Sequence, residues 1–194
     1  MFVDGRYTIQ AQLQSGKLFK IIKIHKFLPH KILKNLTLGF DPSLLTKKQL
    51  YGYFGKSLVL KQINNNLVDE IYKKRNTKTK KFFSLQSKIT GENFKSKINK
   101  IRNILKLNKA DYLFISAPEN VAWTLNIRGS DNPNSPIPNC RLIIGKNKGV
   151  FLITQMEKAS KIIKDGKLSK KQIINPEKFQ DLIKKLKGKK FIID

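Results

Sequence analysis

The sequence predicts an α/β architecture: two small units, each a mixed sheet covered by helices. Three observations lead there. Short apolar runs with strand periodicity alternate with amphipathic helical runs along the whole chain. The 194 residues are 40% apolar, enough to build packed cores. A stretch without any apolar residue, 76–81, divides the chain and reads as a linker.

In the first unit, residues 1–4 read as a strand remnant, and Gly5 opens a turn into a helix over 6–14 with Tyr7, Ile9 and Leu13 available for packing. Alternating residues over 17–25 predict a strand, and 37–40 another, closed by the Asp41-Pro42 turn. Thr46 is placed to cap a helix over 47–55, residues 57–63 return as a strand, and Asn66 caps a helix over 67–75.

In the second unit, the helix over 91–107 carries Phe94, Ile98, Ile101, Ile104 and Leu105 at helical spacing, which leaves a face of solvated lysine. A strand follows over 111–116. Pro118 suits the first position of a helix over 119–127 that Gly129 terminates. A loop with three prolines, 130–139, leads to two strands, 141–145 and 149–154, joined as a hairpin by Lys146-Asn147-Lys148. The tail reads as a helix over 156–164, a strand over 172–175, a Pro-started helix over 176–187 and a last strand over 190–193. The chain reads as beginning and ending inside a larger fold.

Composition excludes several function classes. A single cysteine, Cys140, forbids an internal disulfide and a Cys-based zinc site, and points to a reducing compartment. No leader pattern and no apolar run of membrane-spanning length is present, so a cytoplasmic location and no membrane partner are expected. The net charge of +27 invites a nucleic-acid reading. Only five of the 40 cations are arginine, however, and Arg supplies bidentate phosphate contacts. The lysines read as surface filler in a Lys-, Ile- and Asn-rich composition. Salt-sensitive, non-specific adhesion to polyanions is expected, strongest at residues 73–109, with no specific nucleic acid.

No catalytic set assembles. His25 and His30 have no carboxylate cluster and read as solvated, and no Gly-x-Ser-x-Gly or phosphate loop is present. The stretch that composition does not explain is 116–131. Lysine vanishes from it, it holds the only tryptophan, and it delivers Arg128 and Asp131 to a Gly/Pro-rich loop. Core packing is expected for Trp123. For Arg128 two roles stay open: an ion pair within the unit, with Asp131 as partner, or recognition of a carboxylate or carbonyl in a neighbouring cleft.

The segment Val-Ala-Trp-Thr-Leu-Asn-Ile-Arg-Gly-Ser-Asp at 121–131, with Pro133 and Pro136 behind it, resembles the signature of the non-catalytic domains of Xaa-Pro aminopeptidases (aminopeptidase P). Residues 2–7 with Gln10-Ala11, residues 39–42 and residues 66–72 resemble the same family, in the same order. Asn76, Tyr72 and Thr124 depart from frequent Pro, Trp and Leu. The resemblance implies the creatinase/prolidase N-terminal fold, with a ribonuclease-H-like sheet. Residues 1–75 would be a partial first domain, 76–81 a linker, and 82–194 a near-complete second domain.

It further implies a parent reaction, removal of the N-terminal residue preceding proline. In the family this takes place on two divalent metals, usually manganese, held by a pita-bread domain that this chain lacks. The chain would be inactive alone and would shape substrate access and dimerisation, as a homodimer or with a separate catalytic chain. A stand-alone interaction module or pseudo-peptidase subunit is the alternative. Arg128, Asp131, Asn126 and Trp123 would face or brace the cleft, with no catalytic or metal-binding residue among them.

Overall fold

The computed structural model describes residues 1–55, 58–72 and 80–194. The chain divides into two compact units, Met1–Asn76 and Thr77–Asp194. The linker expected over 76–81 lies outside the described residues apart from Lys80 and Lys81, as do Ser57 and residues 73–75 of the helix expected over 67–75.

In the first unit, β1 (Phe2–Val3) pairs in parallel with β2 (Ile22–Lys23). Between them a short 3-10 turn, Gly5–Tyr7, runs into α1 (Thr8–Ser15). Asp4 starts that turn by accepting from the backbone N–H of Arg6 at 3.0 Å and from its Nε at 3.1 Å. The helix rests on its small residues: Thr8 and Ala11 are buried, whereas Tyr7, Ile9 and Leu13, expected to pack, are exposed. Thr8, Ala11 and Ser15 follow the i, i+3, i+7 rule of one helical face, and the larger residues point away from it.

The strand expected over 17–25 shrinks to two residues, because Gly16–Leu18 forms a 3-10 turn instead. α2 (Pro29–Ile32) follows, and His30 Nδ1 hydrogen-bonds the Tyr53 carbonyl at 3.1 Å, so this histidine is half-buried rather than solvated. β3 (Thr37–Phe40) pairs in parallel with β4 (Val59–Gln62). α3 (Lys47–Phe54) between them opens on a full capping box, in which Thr46 accepts from Gln49 N and the Gln49 side chain accepts from Thr46 N.

α4 (Leu67–Ile71) is capped by Asn66, whose Nδ2 also donates to Asp41 at 2.8 Å. Hydrogen bonds from Ser43 and from Asn66 hold the Asp41 carboxyl below the usual range. The turn after β3 and the start of α4 are thereby tied together.

The second unit opens with β5 (Phe83–Ser84), α5 (Ser87–Thr90) and α6 (Phe94–Leu107), the last capped by Asn93. β6 (Tyr112–Ile115) leads to α7 (Pro118–Leu125) and β7 (Ile127–Arg128). Then come β8 (Arg141–Gly145), β9 (Val150–Ile153), α8 (Met156–Lys164), β10 (Ile173–Ile174), α9 (Phe179–Lys185) and β11 (Phe191–Ile193). The main sheet has the order β10-β9-β8-β6-β11. Its central strands are antiparallel, while β10 and β11 join its two edges in parallel. β5 and β7 form a separate antiparallel ribbon.

Strand alternation sorts the core. Leu142, Ile144, Val150 and Leu152 gather Ile98 of α6, Val121 and Leu125 of α7 and Ile162 of α8 into one buried cluster. On the opposite face Phe114 stacks on Phe179 of α9 at 5.6 Å between centroids. Gly145 lets the hairpin close, since a Cβ there would overlap the Lys148 carbonyl. Among the described residues no helix is long and apolar enough to cross a membrane.

Candidate functional site

The lysine-free stretch builds α7 and everything that holds its two ends. Pro118 occupies the first turn, as its fixed φ favours. The Asp194 carboxylate caps that end, accepting from Ser116 N and Oγ at 2.8 Å each, Asn120 Nδ2 at 3.1 Å and Ala117 N at 3.3 Å. Burial raises the Asp194 pKa, but these hydrogen bonds outweigh it and hold the carboxyl below its ordinary value. Its stabilising effect is therefore complete above the ordinary 3.8 and is lost as pH falls through the lower folded value. Asp194→Asn is expected to lower the urea midpoint at pH 7 and to lose less on acidification below pH ~4. Paired urea titrations at pH 7 and pH 3 measure both.

The helix ends at Leu125, earlier than Gly129 suggested, because Asn126 adopts the left-handed conformation with φ 51°. Arg128 therefore lies on β7, opposite Phe83, and not on the helix. It still serves the helix end: Nη1 donates to the carbonyls of Ile127 at 2.8 Å and Ala122 at 3.4 Å. Two lysines complete the cap. Lys97 Nζ donates to the Trp123 carbonyl at 2.9 Å, and Lys167 Nζ to the carbonyls of Leu125 at 3.0 Å and Asn126 at 3.1 Å. Three cations thus converge on the negative end of one helix.

Lys97 is the residue that sequence reasoning missed. Placed there on a solvated lysine face, it is 2% exposed. Its ammonium also donates to Asn126 Oδ1 at 2.7 Å and lies 4.0 Å from the centre of the Trp123 indole. Burial pushes its pKa below the lysine range; the Glu92 charge opposes this, and the Arg128 and Lys100 charges add to it. Burial does the same to Lys167, against Asp165 and with Lys97. The missed signal was spacing, since Lys97 stands three residues after Phe94 and four before Ile101 on the apolar face of α6.

The four sequence-predicted residues separate into different settings. Asn126 is buried, and its Nδ2 donates to the Glu92 carbonyl at 2.7 Å, so its side chain is satisfied inside the unit. Asp131 pairs with Lys158 at 2.6 Å, with both side chains more than four-fifths buried, and accepts from Asn139 N at 2.6 Å; its partner is not Arg128. Trp123, expected in the core, is 57% exposed, because Val121, Ala122, Thr124 and Leu125 take the buried arc of α7 and Trp123 falls opposite. Arg128 is half-buried.

Gly129 completes the turn out of β7, since a Cβ there would lie 2.7 Å from Pro138 Cα. Cys140 is buried beneath the loop. Burial first, then the Asp131 charge, pushes its thiol up to about 12, against the pull of Lys158, so it is no nucleophile at neutral pH. A solvent-facing indole carried on the Lys97 ammonium is what remains for contact.

The chain is similar to known proteins. Residues 73–194 match the Creatinase/Prolidase N-terminal domain. The chain is 27% identical over 180 residues to Xaa-Pro aminopeptidase 1 of Dictyostelium discoideum, covering 80% of this chain and 28% of that protein. It is 32% identical over 158 residues to Xaa-Pro aminopeptidase app-1 of Caenorhabditis elegans, covering 74% and 26% respectively. The chain thus spans about a quarter of the length of these relatives. The crystal structure of X-prolyl aminopeptidase from Caenorhabditis elegans, a cytosolic enzyme with a di-nuclear active site, superposes with a TM-score of 0.77. That match covers 99% of this chain and 34% of the solved one, and at 24% identity the likeness is one of fold.

Proposed function

Because the chain belongs to the creatinase/prolidase N-terminal domain family, we propose that it is the non-catalytic N-terminal region of a cytoplasmic Xaa-Pro aminopeptidase. Its role is to shape access for peptides with proline at the second position. The solvent-facing indole of Trp123 supports this reading. In a segment whose other apolar residues are buried, the largest side chain is turned outward, with the Arg128 guanidinium anchored at the carbonyl before it. A flat apolar face and a guanidinium fixed at the Ala122 carbonyl suit a peptide with a ring and a carbonyl or carboxylate.

Two divalent metals, manganese by family expectation, belong to the parent chemistry. Among the described residues no group of three or more His, Cys, Asp or Glu side chains could hold a metal ion. The residues present do not fit the metal pair, so no step of the reaction is assigned to them.

The test supplies the metal-bearing remainder of such an enzyme as a separate chain. Mixing is expected to give turnover of an Xaa-Pro peptide, whereas this chain alone with Mn2+ gives none. In the mixture Arg128→Ala is expected to raise KM about tenfold with kcat nearly unchanged, the mark of lost uniform binding. Turnover by the purified chain alone, or an Arg128→Ala mixture identical to the unaltered one, overturns the reading.

One observation favours a second role, self-association. The first unit exposes Ile9, Leu13, Leu18 and Ile71, each more than 70% accessible. A homodimer built on this surface is expected to sediment at twice 22.4 kDa and to dissociate in Leu13→Lys. A monomer at micromolar concentration excludes it.

A further inference from the structure

We propose that Lys97 is a positioning residue that fixes the Trp123 indole with one face turned to solvent. The inference rests on the reading of Trp123 as a contact surface and names the device that makes it one. An indole as exposed as this one samples several rotamers unless something holds it. Lys97 supplies the hold from one ammonium, which donates to the Trp123 carbonyl and to Asn126 Oδ1 and lies 4.0 Å from the ring centre.

The ammonium has no carboxylate within ion-pair distance among the described residues, although its burial is nearly complete. A methionine of similar length would fill the same space without the desolvation cost. What the ammonium adds is direction. It connects the carbonyl of Trp123 to the ring of the same residue, so the backbone and the indole are clamped by one group. The clamp also sets what the outer face prefers. A ring already drawn on by a cation beneath it attracts a second cation poorly, so a neutral apolar ring is the better match for the exposed face than a peptide ammonium.

Trp123 is the only tryptophan, so its emission reports this contact alone. In Lys97→Met the held rotamer is expected to lose about fivefold in population. The loss reads out as lower anisotropy and stronger acrylamide quenching, with far-UV circular dichroism unchanged. Unchanged anisotropy and quenching in the folded variant overturn the proposal. Where the variant does not fold, proton NMR of the unaltered chain decides. The Lys97 ε-methylene protons are expected upfield of ordinary lysine through the indole ring current, and to return in Trp123→Leu. Their absence upfield overturns the proposal equally. Neither measurement involves a peptide, so failure here is separable from failure of the cleft reading, which the mixed-chain assay tests.

Discussion

Asn126→Ala is expected to destabilise the second unit by about 4 kcal/mol, from two sources that further variants separate. The first is the loss of two buried partners. Oδ1 receives the Lys97 ammonium and Nδ2 donates to the Glu92 carbonyl, and removing the amide takes one partner from each, leaving Lys97 the Trp123 carbonyl and Glu92 the Thr90 hydroxyl. The second is backbone strain, since alanine tolerates a φ of 51° less well than asparagine. Asn126→Gly removes the strain but not the loss of the two hydrogen bonds, so it is expected to be milder by ~1 kcal/mol. Asn126→Asp keeps an acceptor for Lys97 but turns an acceptor toward the Glu92 carbonyl, and is expected to fall between alanine and the unaltered chain. Urea midpoints with unchanged m-values measure all three. Equal losses for alanine and glycine would remove strain from the account.

Asp131→Ala follows, at about 3 kcal/mol, because it leaves Lys158 nearly buried without its counter-ion and the Asn139 N–H without its acceptor. The informative comparison is the double variant Asp131→Leu/Lys158→Met. Replacing both charges by apolar groups of similar volume is expected to recover most of the loss, since the pair's cost of desolvation goes with it. A double variant as unstable as the single one would show that the loop depends on the Asn139 contact alone. The same comparison concerns function. Asp131 braces the loop behind Arg128, so its removal is expected to act through stability, whereas Arg128→Ala acts through KM.

Much of this was legible because local chemistry decides it. Thr46 before α3, Pro118 at the start of α7 and the Lys146–Lys148 connection are signals whose cause lies within a few residues, and the helix expected over 156–164 is α8, Met156–Lys164. Three differences share one origin: position along the helix, rather than residue type, decides them. Lysine makes up most of the charge, so a buried lysine looks like its neighbours, although its spacing put Lys97 on the apolar face. Tryptophan suggests a core, although residues 121, 122, 124 and 125 already fill the inward arc and leave 123 outside. In α1 the small Thr8 and Ala11 take the buried face that Ile9 and Leu13 were expected to hold.

The end of α7 was misjudged for a different reason. Glycine is the usual left-handed residue, and Gly129 drew the boundary away from Asn126, which adopts that conformation with the support of Lys97 and Glu92. That support comes from α6 and the turn before it, more than 25 residues away, and local sequence does not show it.

The position of β11 has a kinetic consequence. β8 and β9 are neighbours in sequence and pair early, whereas β6 reaches β8 across α7 and β7. β11 pairs with β6 across most of the unit, and the residue after it, Asp194, supplies the cap at the amino end of α7. Loop-closure entropy places that docking late. Sheet completion and helix capping are then one event, and the time course of refolding is set by how fast β11 docks on β6.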